Sequence, residues 1–176
     1  MGHQLMSGGA EKVPETINTT RFGEFTVKDE DVIQFPKGIP GFETHKKWAL
    51  AGEDDSPIKW LQSMADGDVA LPVVIPQIIK SNYNARLPEG EIAVVEAVTE
   101  EDMALLIVLS IPPAAPWDMT ANLRAPIVIN HKKRIACQVI AENEEYDVRA
   151  PVLSGAMRET MRTKAASEAA GAAPGA

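Results

Sequence analysis

Chemistry needs nucleophiles, acids, bases or metal ligands at workable spacings, and this sequence supplies few of them. Its three histidines, His3, His45 and His131, are isolated from one another. That leaves too few partners for a metal cluster or a His-based triad. The single cysteine, Cys137, falls inside a Val- and Ile-rich stretch of strand length, where a buried, inert thiol is expected rather than a nucleophile. Carboxylates pair at Asp54-Asp55, Glu100-Glu101-Asp102 and Glu144-Glu145, but each group reads as a solvated turn, not as a buried acid and base. There is no GxGxxG, no phosphate loop ending in GK[ST] and no GxSxG elbow. The expectation is a protein without catalytic residues, metal or cofactor.

Two segments are distinctive enough to carry binding. In Ile33-Gln34-Phe35-Pro36-Lys37-Gly38-Ile39-Pro40-Gly41-Phe42, Pro36 presets a type I turn closing at Gly38, and Pro40-Gly41 suits the centre of a type II turn. A doubled corner follows, presenting Phe35, Ile39 and Phe42 either to the core or to a partner, with the core favoured. The second segment, 120–130, reads as the first arm of a β-hairpin and carries Asn122, Leu123, Arg124 and, at the turn, Asn130. The basic run His131-Lys132-Lys133-Arg134 then offers an alternative function, a nucleic-acid-binding β-barrel. Trp117, in a Pro-rich link, is a further candidate contact.

Charge weighs against the nucleic-acid alternative. Seventeen Lys and Arg against 25 Asp and Glu give 17 − 25 = −8, so a phosphate backbone is repelled overall. One cysteine excludes an intramolecular disulfide and points to a reducing compartment. No signal-peptide pattern and no membrane-length apolar run is present, so a cytoplasmic location is expected.

The elements that must position these residues are mostly strands. Apolar bursts rich in Val and Ile, bounded by Pro, Gly, Asn and Asp, predict strands at 16–27, 32–35, 48–51, 58–63, 69–75, 92–98, 104–111, 125–129 and 134–140. Thirteen prolines disfavour long helices and broad regular sheets. The expected fold is all-β: a small closed or partly open antiparallel β-barrel-like domain with short helical segments, one of them within 76–88. It spans 16–153, after a flexible lead at 1–15. Met157 and Met161, four apart among charged residues, suggest a short amphipathic helix in 154–176 before a disordered Ala/Gly-rich tail.

Taken in order, FPKGIPGF, Trp60-Leu61-Gln62-Ser63, the 120–130 segment and Gln138-Val139-Ile140 resemble the FliW family of bacterial flagellar assembly factors. The opening Thr20-Arg21-Phe22-Gly23-Glu24 fits as well, so the resemblance covers roughly 17–151. It implies a barrel-like β fold and two protein partners. One is flagellin, held in the cytoplasm before export. The other is CsrA, an RNA-binding repressor of flagellin translation, which the family binds once flagellin has been exported. On motif matches and expected exposure, the partner-binding candidates are Phe35, Ile39, Phe42, Asn122, Leu123, Arg124 and Asn130.

Overall fold

A computed structural model describes residues 14–171. Of the expected N-terminal lead, residues 1–13 lie outside the described part, and Glu15 already pairs with Val27. The strands are β1 (Glu15–Thr19), β2 (Gly23–Val27), β3 (Val32–Gln34), β4 (Lys47–Ala51), β5 (Lys59–Ser63), β6 (Ala70–Val74), β7 (Met103–Ser110), β8 (Thr120–Ala121), β9 (Ile127–Asn130), β10 (Ile135–Gln138) and β11 (Ala150–Pro151). Helices are α1 (Pro76–Ile79), α2 (Glu89–Ile92) and α3 (Gly155–Gly171). None of them is long and apolar enough to cross a membrane.

Seven strands close on themselves in the order β7-β6-β5-β4-β3-β10-β9, with β9 returning to β7. Closure removes the exposed sheet edges that would otherwise invite pairing with other chains. Every neighbouring pair in the ring is antiparallel except β3 and β10, which run parallel and meet through one register pair, Ile135 with Gln34. The short strands β8 and β11 extend the sheet from the C-terminal end of β7.

Period-2 alternation fills the barrel. Ile33, Phe35, Ile39, Trp48, Leu61, Val73, Leu106, Ile127, Ile129 and Ala136 form its interior cluster. Connections wrap three groups of outward-facing apolar residues. Tyr83, Leu123, Tyr146 and Ala150 cover the outer side of β6 and β7 at Val74, Ile107 and Leu109. Val95 closes over Val128, Cys137 and Val139. Val27 does the same over Val32 and Ala49.

Four expectations are corrected. Residues 16–27 are not one strand but a hairpin, because Thr19 Oγ1 accepts the Phe22 N–H at 2.8 Å and Gly23 turns at φ +64°. Residues 92–98, read as a strand from their β-branched content, are helical through 95 and then turn at Glu96, which takes φ +57°. Pro88 opens that helical turn, and burial of Val95 overrides strand propensity. The two-residue strands β8 and β11 were not expected, being too short for a periodic signal. Finally, residues 165–171, read as a featureless tail, continue α3, since alanine is the best helix former.

Candidate functional site

Strand directions place the corner and the 120–127 part of the second segment at one end of the barrel. There β3 and β10 finish, β6 and β9 begin, and the corner at 35–42 crosses the opening. The corner is built as its turn residues require. Gly38 takes φ +67° and its N–H donates to the Phe35 carbonyl at 2.8 Å, while Phe42 N–H donates to Ile39 at 2.6 Å. Gly41, at φ +90°, donates its N–H to a Glu43 carboxylate oxygen at 3.0 Å. The Gly41 N–H first, then Glu43's own N–H and the charge of Lys46, hold the Glu43 carboxyl below its usual range.

Beside the corner lies a cavity of about 360 Å³. Ile39, Pro40, Phe42, Leu71, Val108 and Leu109 supply its apolar wall, and Ser110, Thr120, Asn122, Gln138, Val148 and Arg149 the remainder. Asn122 is fixed as a turn residue, its Oδ1 accepting the Ala125 N–H at 3.1 Å. Gln138 Nε2 donates to the Ala125 carbonyl at 3.0 Å. This mouth therefore has an apolar floor, a polar side held in place by its own hydrogen bonds, and one charge, that of Arg149.

Of the partner-binding candidates, the mouth brings together Ile39, Phe42 and Asn122. Ile39 is buried, so it forms floor rather than rim, and Phe42 is half-buried with its ring edge-on to Trp48 at 6.0 Å. Phe35 is fully buried behind them. Leu123 is buried in the outer cluster with Tyr83, whose hydroxyl donates to the Leu123 carbonyl at 2.7 Å. Arg124 is half-buried, and its carbonyl accepts the Ala141 N–H at 2.7 Å. Asn130 sits at the opposite end of the barrel and is buried; its amide donates to Val95 and its Oδ1 accepts from Lys132 and Lys133 N–H groups. With their side chains enclosed, Phe35, Leu123 and Asn130 shape the fold around the site and offer a partner no side-chain surface. Leu71, Gln138, Val148 and Arg149 line the mouth without having been singled out; only Gln138 stood in a recognised motif.

The basic run does not form a basic patch. Lys132 pairs with Asp102 at 2.7 Å and Lys133 with Glu96 at 3.6 Å. A guanidinium nitrogen of Arg134 donates to the Asp31 carbonyl, and the His131 ring lies 2.9 Å from the Glu101 carbonyl. Lys132, followed by the Thr99 backbone, holds the Asp102 carboxyl down to about 2.

Chemistry-bearing side chains are likewise committed to structure. Burial pushes the Cys137 thiol up to about 11, away from the reactive thiolate. Ser63 Oγ lies 2.9 Å from His45 Nδ1, a contact no sequence spacing announced. That serine is fully buried and already accepts the N–H groups of Ala65 and Asp66, so its proton goes to His45 and it faces no substrate. Among the described residues, no group of three or more His, Cys, Asp or Glu is placed to hold a metal ion. Of the tryptophans, Trp48 is core, Trp60 lies under the Arg21 guanidinium at 3.5 Å, and Trp117 is half-buried in a short turn.

The family model described as FliW protein matches residues 16–152. The chain belongs to the FliW family. A flagellar assembly factor FliW of Thermotoga maritima is 43% identical over 131 residues, 74% of this chain and 88% of the relative. That of Syntrophus aciditrophicus is 41% identical over 138 residues, covering 78% and 87%. A crystal structure of the flagellar assembly factor FliW superposes with a TM-score of 0.73 at 31% identity, covering 80% of this chain and 98% of its own. The FliW match ends before α3, which begins at Gly155.

Proposed function

We propose that this FliW-family chain is a non-catalytic regulator of flagellum assembly in the cytoplasm. It binds flagellin and, when free of it, binds a CsrA-type RNA-binding repressor and relieves repression of flagellin translation. The observation that carries this reading is the family match over the whole barrel, residues 16–152. The open mouth supports it, because a rigid apolar concavity with fixed polar neighbours is how a binding protein presents an anchor site. The paired cations at 131–134 count against the nucleic-acid alternative, since each is already engaged within the chain. Isothermal titration of purified protein with flagellin, with a CsrA-type protein, and with one in the presence of the other tests the reading. Micromolar or tighter binding to both, with mutual exclusion, is expected; binding to neither discards it.

A further inference from the structure

The mouth's electrostatics run opposite to the rest of the molecule. The chain carries a net charge of −8, yet the single charged residue lining the cavity is a cation, Arg149. Several cations elsewhere pair with carboxylates: Lys47 with Glu15, Arg86 with Glu145, Lys132 with Asp102, Lys133 with Glu96, and Arg162 with Glu159. Among the described residues Arg149 has no ion pair, hydrogen bond or ring contact from its side chain. Its neighbour Val148 is 56% exposed on the same lining, an apolar side chain that none of the four core clusters takes up.

We propose that the mouth captures a protein segment in which an apolar side chain and a side-chain carboxylate lie close together. The apolar side chain enters between Phe42, Leu71, Val108 and Val148, and the carboxylate pairs with Arg149. Three features on the page support this occupant. The cavity, about 360 Å³, lies at the lower end of the size range of ligand sites and admits a side chain. A guanidinium presents a fixed fork of donors that matches a carboxylate in two-point fashion, and arginine beside an apolar pocket is a recurrent anchor at protein interfaces. In a chain this acidic, an Asp- or Glu-bearing segment would be repelled from most of the surface, so Arg149 also selects where such a segment lands.

The inference rests on the reading that the chain binds protein partners, and the test separates the two. Wild type, Arg149→Glu, Arg149→Lys and Val148→Glu are titrated with flagellin and with a CsrA-type protein, at low and at high salt. Both positions are exposed, so thermal unfolding of all four proteins should agree within about 2 °C, which guards against a folding artefact. For at least one partner, Arg149→Glu and Val148→Glu should weaken binding about tenfold or more, and Arg149→Lys by less. Replacing the partner's acidic residues one at a time by lysine should locate one that restores binding to Arg149→Glu. If wild type binds but both glutamate variants bind within twofold of it, the mouth is not the docking site. If the variants weaken binding but no acidic-to-lysine exchange restores it, the carboxylate is wrong and the proposal fails. If wild type binds neither protein, the functional reading itself falls and takes this inference with it.

Discussion

Phe35 and Phe42 flank the same doubled turn but answer to different demands. Trp48 lies between them, edge-on to Phe35 at 6.2 Å and to Phe42 at 6.0 Å. Phe35 is wholly enclosed, whereas Phe42 reaches the mouth. Truncating Phe35 to Ala should therefore cost about 3–5 kcal/mol of stability in urea unfolding, and truncating Phe42 clearly less, about 2 kcal/mol. If partners use the mouth, Phe42→Ala should lose more affinity than its stability loss explains. Equal stability losses at the two positions would show that Phe42 is ordinary core. Asp102 makes a second residue-scale case. Its carboxyl lies near 2 instead of 3.8, with Lys132 as the largest cause. A depressed carboxylate stabilises the folded state above its unfolded value, so this contribution is intact above about pH 4 and is lost as pH falls through about 2. Lys132→Ala should move the Asp102 titration upward in carboxyl-detected NMR, and an unmoved titration would assign the depression to the Thr99 backbone.

At the scale of elements, the β1–β2 hairpin is docked by very close approach. Thr20 N–H donates to the Gly67 carbonyl at 3.1 Å, the Thr20 hydroxyl bonds the Asp68 carboxylate, and the Arg21 guanidinium covers Trp60. A Cβ on Gly67 would lie 1.8 Å from the Asn18 carbonyl oxygen, so Gly67→Ala must push the hairpin off the barrel. Limited proteolysis should then cut within 14–27 in the variant before the rest of the chain, with a stability loss on the order of 2 kcal/mol. Helix α3 behaves in the opposite way. None of its residues is buried, and its contact with the body includes Arg158 and Asp118 at 4.0 Å. Ending the chain at Ser154 should remove helical circular dichroism while changing the unfolding free energy by less than about 1 kcal/mol. These two elements also mark where reading the sequence succeeded and failed. Short apolar bursts fixed most strands because alternation is a local property. The 92–98 stretch misled because Val and Ile favour strands, while burial of Val95 against Val128 and Cys137 decided the matter from a distance. Ile39, Phe42 and Asn122 were legible through turn chemistry, which is local; Arg149 was not, because its interest lies in the partner it lacks in space.

Closure of the barrel is a property of the whole molecule, and its seam is uneven. The pairs β4–β5, β5–β6, β7–β9 and β10–β9 each hold four register positions, and β3–β4 holds three. The parallel contact of β3 with β10 holds one, reinforced by the Gln34 N–H donating to Arg134 at 2.8 Å and by the Arg134 guanidinium on the Asp31 carbonyl. Arg134 takes φ +57°, a conformation uncommon for a non-glycine residue. Few hydrogen bonds, a strained connector and a joint between segments about 100 positions apart in sequence all lower the cost of local opening. The seam should therefore open below the global unfolding transition, and native-state hydrogen exchange measures this directly. The Gln34 amide should exchange with an opening free energy clearly below that of Ala49 and Leu61, which lie in the well-paired β4–β5 ladder. Equal values at the three amides would mean that the ring opens only as a unit. A lower value at Gln34 alone would place the flexible joint at the β3–β10 seam, where the chain leaves β3 for the corner at 35–42, and would give that corner a hinge for adjusting to a partner.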